Sequence, residues 1–271
     1  MMKLLSCLII TIALMTPLLA QQPTETDAEL EARRELNEAA RAYRDKNFAA
    51  AQAHSEKALL LDPQNKLAPV FVARTIHAQY KPGDVNPENV AIAREAVSAY
   101  QRVLDRSPGD EEAYKAVAYL YSALKEEELL REWILQRAGS VFFPNDKRAE
   151  AFVILAGRDW DCSYKITELP GNKVTTVNGN KASVRYRMPK EPVEFERAKE
   201  CANRALEMAN MAITLTPENE SAWSYKTNIL LELEKLAEMS GEAQKRLEFH
   251  RQYEEALSQT RKLSKPSQSN P

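Results

Sequence analysis

Few residues of this 271-residue chain have the types and spacing that chemistry needs. Its three histidines, His54, His77 and His250, stand apart from one another and from every cysteine. A structural zinc site takes about four converging ligands and a catalytic one about three plus water. No HExxH or His-x-His spacing offers them. The stretch "RDWDCS" sets Asp159 and Asp161 beside Cys162, which reads as a solvated or helix-capping pair of acids rather than a metal or acid–base centre. No glycine-rich phosphate loop follows a strand, and the G-x-S-x-G turn is absent. The chain therefore reads as a non-enzyme with no cofactor and no metal.

The leader sets the context for the cysteines. Residues 1–20, "MMKLLSCLIITIALMTPLLA", join a single Lys to an apolar run and end on a small residue, the pattern of an export signal cut near Ala20. Retention as an anchor is the other reading, although the run falls short of the roughly 20 apolar residues a spanning helix needs. Cys7 would leave with the leader, so Cys162 and Cys201 remain. An even count in an oxidising compartment favours a disulfide. Two separate buried thiols are an alternative, and so is a redox pair, though no C-x-x-C supports it. The expected location is exported, periplasmic or extracellular. The net charge is −2; neither nucleic acid nor an anionic membrane is expected as partner without a basic excess on one face.

The elements that must position these residues are helices. Glycine is scarce, at 7 residues, and only one short segment has strand character. Pro63, Pro108, Pro144 and Pro217 are each followed two residues later by Asn65, Asp110, Asp146 and Asn219. Proline ends a helix because it lacks an amide hydrogen, and Asn or Asp satisfies the free amides that open the next one. Ala51, Ala58 and Pro63 share their spacing with Ala205, Ala212 and Pro217, and with Ala96, Val103 and Pro108. Small residues at Ala51, Ala96 and Ala205 would let antiparallel helices approach closely. "AYKAVAYLYSAL" and "AEAFVILAGRDW" read as first helices of pairs; "NVAIAREAVSAYQRVL" and "EFERAKECANRALEMANMAITL" read as second ones.

On these residues the chain resembles tetratricopeptide repeats. Phe48, Ala51, Ala58, Leu59 and Pro63 fit the family pattern in the first unit, Tyr114, Val117 and Ala118 open the third, and Trp223 follows Pro217 as Tyr114 follows Pro108. The resemblance implies an all-α, right-handed α-solenoid of about five degenerate helix pairs over residues 28–263, after a linker at 21–27 and before a disordered tail at 264–271. The last pair would act as a cap. The second unit departs from the pattern with Pro69 at the aromatic position and the insertion "KPGDVNPENV"; the third has Gly139 where Ala is expected. In the fourth pair Cys162 falls near the end of the first helix and Cys201 about two turns into the second, so the two could face one another.

The fourth pair also carries an insertion at 171–190, where Val184, Tyr186 and Met188 alternate with Arg185 and Arg187 after Asn178-Gly179. This period predicts a β-hairpin whose apolar face packs on helices. It reads either as a loop that only shields the core or as an arm with Arg185 and Arg187 turned toward a partner.

By the resemblance, first helices line a groove. Its residues would be Tyr43 and Arg44, Arg74 and His77, Lys115, Tyr119 and Ser122, and Asn228. Such a set could hold an extended peptide by hydrogen bonds and charge pairing; the plainer reading is an ordinary solvated helix face. The implied function is a protein-binding or scaffolding module of the cell envelope with a protein or peptide partner. The alternative is an accessory subunit of an envelope assembly, secretion or pilus machine, docking by its convex face and hairpin.

Overall fold

The computed structural model describes residues 25–178 and 181–264. The expected leader, most of the linker, the turn residue Gly179 and the tail beyond Ser264 lie outside them. The described residues form ten helices and one antiparallel hairpin: α1 Asp27–Arg44, α2 Phe48–Leu61, α3 Ala68–His77, α4 Pro87–Arg106, α5 Glu111–Ala123, α6 Glu127–Gly139, α7 Asn145–Thr167, β1 Lys173–Asn178, β2 Lys181–Tyr186, α8 Pro192–Leu215, α9 Glu220–Met239 and α10 Ala243–Leu263. They divide into two compact units, residues 1–80 and 81–271. The boundary cuts the second expected pair, since α3 closes the first unit and α4 opens the second.

The proline punctuation works as chemistry predicts at three of four places. The side chain of Asn65 accepts from the amides of Leu67 and Ala68 at 2.9 and 3.0 Å. Asp110 accepts from Ala113 and Asn219 from Ala222, both at 2.9 Å. A cap of this kind contributes about 1 kcal/mol. The fourth differs: Pro144 itself is the cap residue of α7, and Asp146 lies inside the first turn. Its carboxylate there meets the positive end of the helix dipole instead of a single amide.

The repeat is visible in backbone bonds. The amides of Asp62, Ser107 and Thr216 donate to the carbonyls of Ala58, Val103 and Ala212 at 2.9–3.0 Å, so the second residue of each sequence triplet occupies one structural position. Ala51, Ala58, Ala96, Ala205 and Ala212 are fully buried. Three helix-to-helix turns also share a design. Lys46, Lys125 and Gly241 take φ of 60°, 58° and 71°, and the next amides, of Asn47, Glu126 and Glu242, donate back to Ala42, Tyr121 and Ala237 at 2.9 Å. This left-handed turn closes the carbonyls that a helix end leaves open. Each turn joins the two helices of an expected pair: α1 to α2, α5 to α6, and α9 to α10.

Within the first unit α1 and α2 run antiparallel, as Glu35 bonded to both His54 and Lys57 and the edge-on contact of Tyr43 with Phe48 show. Its core is Ala32, Leu36, Ala58 and Ala68, with Leu59, Leu61 and Phe71 packed around it. The second unit holds the larger core, from Leu130 in α6 through Leu155, Phe195 and Ile229 to Ala256 in α10. There α7 and α8 are antiparallel, with Asp159 near Arg204 and Cys162 bonded to Cys201. By contrast α7 and α9 run parallel, since Gly157 meets Tyr225 and Thr167 meets Glu232. A Cβ on Gly157 would stand 2.8 Å from the Tyr225 ring, so glycine leaves the room in which the end of that side chain rests on α7.

The hairpin pairs Lys173 with Tyr186 through Asn178 with Lys181. Its base packs on the helices, as expected, because Tyr186 lies against the core. Its outer half does not: Val177 is 68% exposed and Val184 is also exposed, as is Met188 just past the base.

Candidate functional site

Three of the expected groove residues come together in the second unit. Lys115, Tyr119 and Ser122 on α5 form one wall of a cleft of about 310 Å³; Lys147, Ile154 and Arg158 on α7 form the other, and Leu130, Ile134 and Arg137 of α6 lie between them. The wall residues are spaced three, four or seven apart on each helix, which puts them on one face. Lys115 and Ser122 are exposed, and Tyr119 is exposed as well. Asn228 is not in this cleft. It borders a more open recess of 430 Å³ on the same first-helix face, with Trp160 of α7 and Glu220, Ser221, Ser224 and Tyr225 of α9.

The charges of the cleft differ in how they are held. Arg137 is 5% exposed, bonds Glu111, and lies against the rings of Tyr114 and Phe143 at 4.1 and 5.0 Å. The Tyr114 hydroxyl is buried with no hydrogen-bond partner among the described residues. Burial pushes it up to about 12, against the opposing pull of Arg137, so it stays neutral. Lys147 is shared between Glu150 at 3.2 Å and Glu111 at 3.9 Å, and Arg158 bonds Glu127 outside the cleft. Lys115 has no ion pair or hydrogen bond among the described residues. The cleft thus carries Lys115, Arg137, Lys147 and Arg158 against Glu111 and Glu150, with Tyr119 and Ile154 as apolar contacts. It can hold an extended chain that brings a carboxylate. It gathers no nucleophile with a base beside it.

The remaining expected residues belong to the first unit. Tyr43 is partly exposed against Phe48, and Arg44 is exposed at the end of α1. Arg74 and His77 are half-buried on α3. Burial pushes the His77 imidazole down, which favours its neutral form and leaves it an imidazole contact rather than a cation.

One of the two acids differs from its sequence reading. Asp159 is not solvated: it is buried, takes both oxygens' worth of hydrogen bonds from Arg131 at 2.9 and 3.0 Å, and meets Arg204 at 3.3 Å, tying α6, α7 and α8 together. Asp161 pairs with Lys165 one turn on. The cysteines are bonded, Cys162 to Cys201, with Cα atoms 6.0 Å apart.

The hairpin anchor was not visible in the sequence. Glu232 of α9, almost wholly buried, accepts from Thr167 at 2.7 Å and pairs with Lys235. Lys235 reaches Glu168 at 2.7 Å and lies 5.0 Å from the Tyr164 and Tyr186 rings. Glu168 in turn accepts from the Tyr186 hydroxyl at 2.9 Å and pairs with Lys173. Burial works to raise the Glu168 carboxyl, but hydrogen bonds from Lys173, Lys235 and Tyr186 outweigh it and hold it at about 2.

No family model matches the chain, and no curated protein does. Among solved structures, a crystal structure of MamA protein aligns over 89% of this chain and 98% of that one, at 13% identity and a TM-score of 0.41. MamA from Desulfovibrio magneticus aligns over 89% and 98%, at 13% identity and 0.36. A tetratricopeptide repeat protein from Parabacteroides merdae aligns over 85% and 99%, at 11% identity and 0.35. Superpositions this loose add nothing to the description. The fold is tetratricopeptide-like on its own evidence: helix pairs closed by one turn design, buried alanines at the repeated spacing, and parallel first helices in the second unit.

Proposed function

We propose that the protein is a non-enzymatic binding or scaffolding module of the cell envelope that holds an extended segment of a protein partner along its first-helix face. The observation that carries this reading is the cleft, where Lys115, Tyr119 and Ser122 face Lys147, Ile154 and Arg158 across about 310 Å³. Lys115 has no partner of its own, and a peptide carboxylate would supply one.

Two features support export. Residues 1–20 have the form of a signal, and the Cys162–Cys201 bond suits an oxidising compartment. No described helix is long and apolar enough to cross a membrane.

Affinity purification of the exported chain from its native host, compared with Lys115→Glu and Tyr119→Ala, tests the reading. The expected result is one co-purifying protein that both substitutions remove while the far-ultraviolet spectrum and melting profile stay unchanged. Undiminished capture by both folded variants would overturn it.

A further inference from the structure

Residues 169–190 carry five basic side chains, Lys173, Lys181, Arg185, Arg187 and Lys190, and no acid, on a chain whose net charge is −2. Lys173 is occupied by Glu168. Arg185, Arg187 and Lys190 are exposed, with no ion pair or side-chain hydrogen bond among the described residues. An arm with this composition rests on a buried ionic anchor that leaves its outer half uncovered.

The backbone adds a second constraint. The Arg187 amide donates to the Asn172 carbonyl at 2.8 Å. In this register the bonded pairs are therefore 174 with 185 and 176 with 183, while Thr175 with Val184 and Val177 with Ala182 are the pairs whose amides and carbonyls point outward. At the base of β2 that outward edge is covered, since the Tyr186 amide reaches a Glu238 carboxylate at 3.4 Å. Farther out, at Ala182 and Val184, it is open. Ser183 and Arg185 point to one face of the strand and Ala182 and Val184 to the other.

We propose that the open edge of β2 takes an extended, acidic segment of a partner protein as a third strand. The added backbone would pair with the outward groups of Ala182 and Val184, its carboxylates would meet Arg185 and Arg187, and its apolar side chains would cover Val184. Three considerations select this occupant. A bilayer is disfavoured because the unpaired backbone groups at the tip would cost several kcal/mol each in hydrocarbon. A second copy of the same edge is disfavoured because it would bring the exposed Arg185 and Arg187 toward the same two charges instead of toward carboxylates, and like charges destabilise a strand pair. An acidic strand meets both needs together, with charge steering the approach and backbone bonds fixing the register.

The test uses the full mature chain and a fluorescent eight-residue peptide of alternating Val and Glu. Saturable binding is expected, and Arg185→Glu/Arg187→Glu should weaken it by about tenfold or more. Val184→Pro, which removes an outward amide without touching the hairpin's own bonds, should weaken it comparably. So should N-methylation of the peptide, with these comparisons made in the Lys115→Glu chain so that the cleft takes no part. The proposal falls if no binding is seen, if a Val and Lys peptide binds equally, or if N-methylation has no effect. It also falls if Lys115→Glu abolishes binding, which would place the peptide in the cleft, or if the chain sediments with phosphatidylglycerol vesicles while ignoring the peptide. Circular dichroism on each variant confirms that the helices are intact.

Discussion

The two ends of α7 treat charge in opposite ways. Over its first four turns Lys147, Glu150 and Arg158 line an open cleft, in ion pairs that stay partly exposed. Over its last turns Asp159, Thr167 and the following Glu168 sink into networks with Arg131, Arg204, Glu232 and Lys235. Burying a charge is costly unless a partner meets it, so the second set is committed to holding α6, α8, α9 and the hairpin in place. The first set is free to meet something else. One helix thus divides into a stretch that supports and a stretch that presents.

Breaking the supporting end should show the largest effect. Glu232→Ala leaves Lys235 with Glu168 as its remaining carboxylate and the Thr167 hydroxyl with only the Tyr164 carbonyl, and losing two buried charge-assisted bonds should cost about 3 kcal/mol, read from urea unfolding. If stability barely moves, the anchor is not what holds this end. Cys162→Ser/Cys201→Ser opens a loop of 39 residues in separation and should cost about 2–4 kcal/mol, seen as a lower melting temperature that reducing agent no longer shifts.

Acid offers a graded version of the same test. Glu168 sits at about 2 in the folded chain against 4.5 ordinarily. A lowered carboxyl contributes its stability fully above its unfolded value, so the contribution is whole above pH 4.5 and is lost as pH falls toward 2. Hydrogen exchange of the hairpin base should quicken across that window, and a flat profile would mean that the carboxylate is not the anchor.

The presenting end should respond in the opposite sense. Lys125→Gly relieves a left-handed lysine at the turn under the cleft and should add about 0.5–1 kcal/mol without loss of partner. Lys115→Glu should change stability by less than about 0.5 kcal/mol while removing the partner.

Sequence and structure meet unevenly along this helix. The prolines and the Asn or Asp after them announced the helix boundaries, because capping is local and needs only neighbouring residues. The alanine spacing announced the pairing, because only small side chains allow such close approach. Lys115, Tyr119 and Ser122 could be placed on one face from their period alone. Their opposite wall was within reach too, since Lys147, Ile154 and Arg158 keep helical spacing, but nothing local tells which face of α7 turns to α5. Glu232 and Lys235 looked like an ordinary surface pair three residues apart. Their burial comes from Thr167, Glu168 and Tyr186, 46 or more positions away in the chain, brought over them by the hairpin. Asp159 was misread for the same reason: its partners come from α6 and α8.

The most direct measurement places a photo-crosslinking amino acid at position 119 of the exported chain in its native host. If the cleft is the binding face, irradiation yields a single discrete adduct that Lys115→Glu eliminates. An adduct indifferent to Lys115→Glu, or none at all, would contradict it.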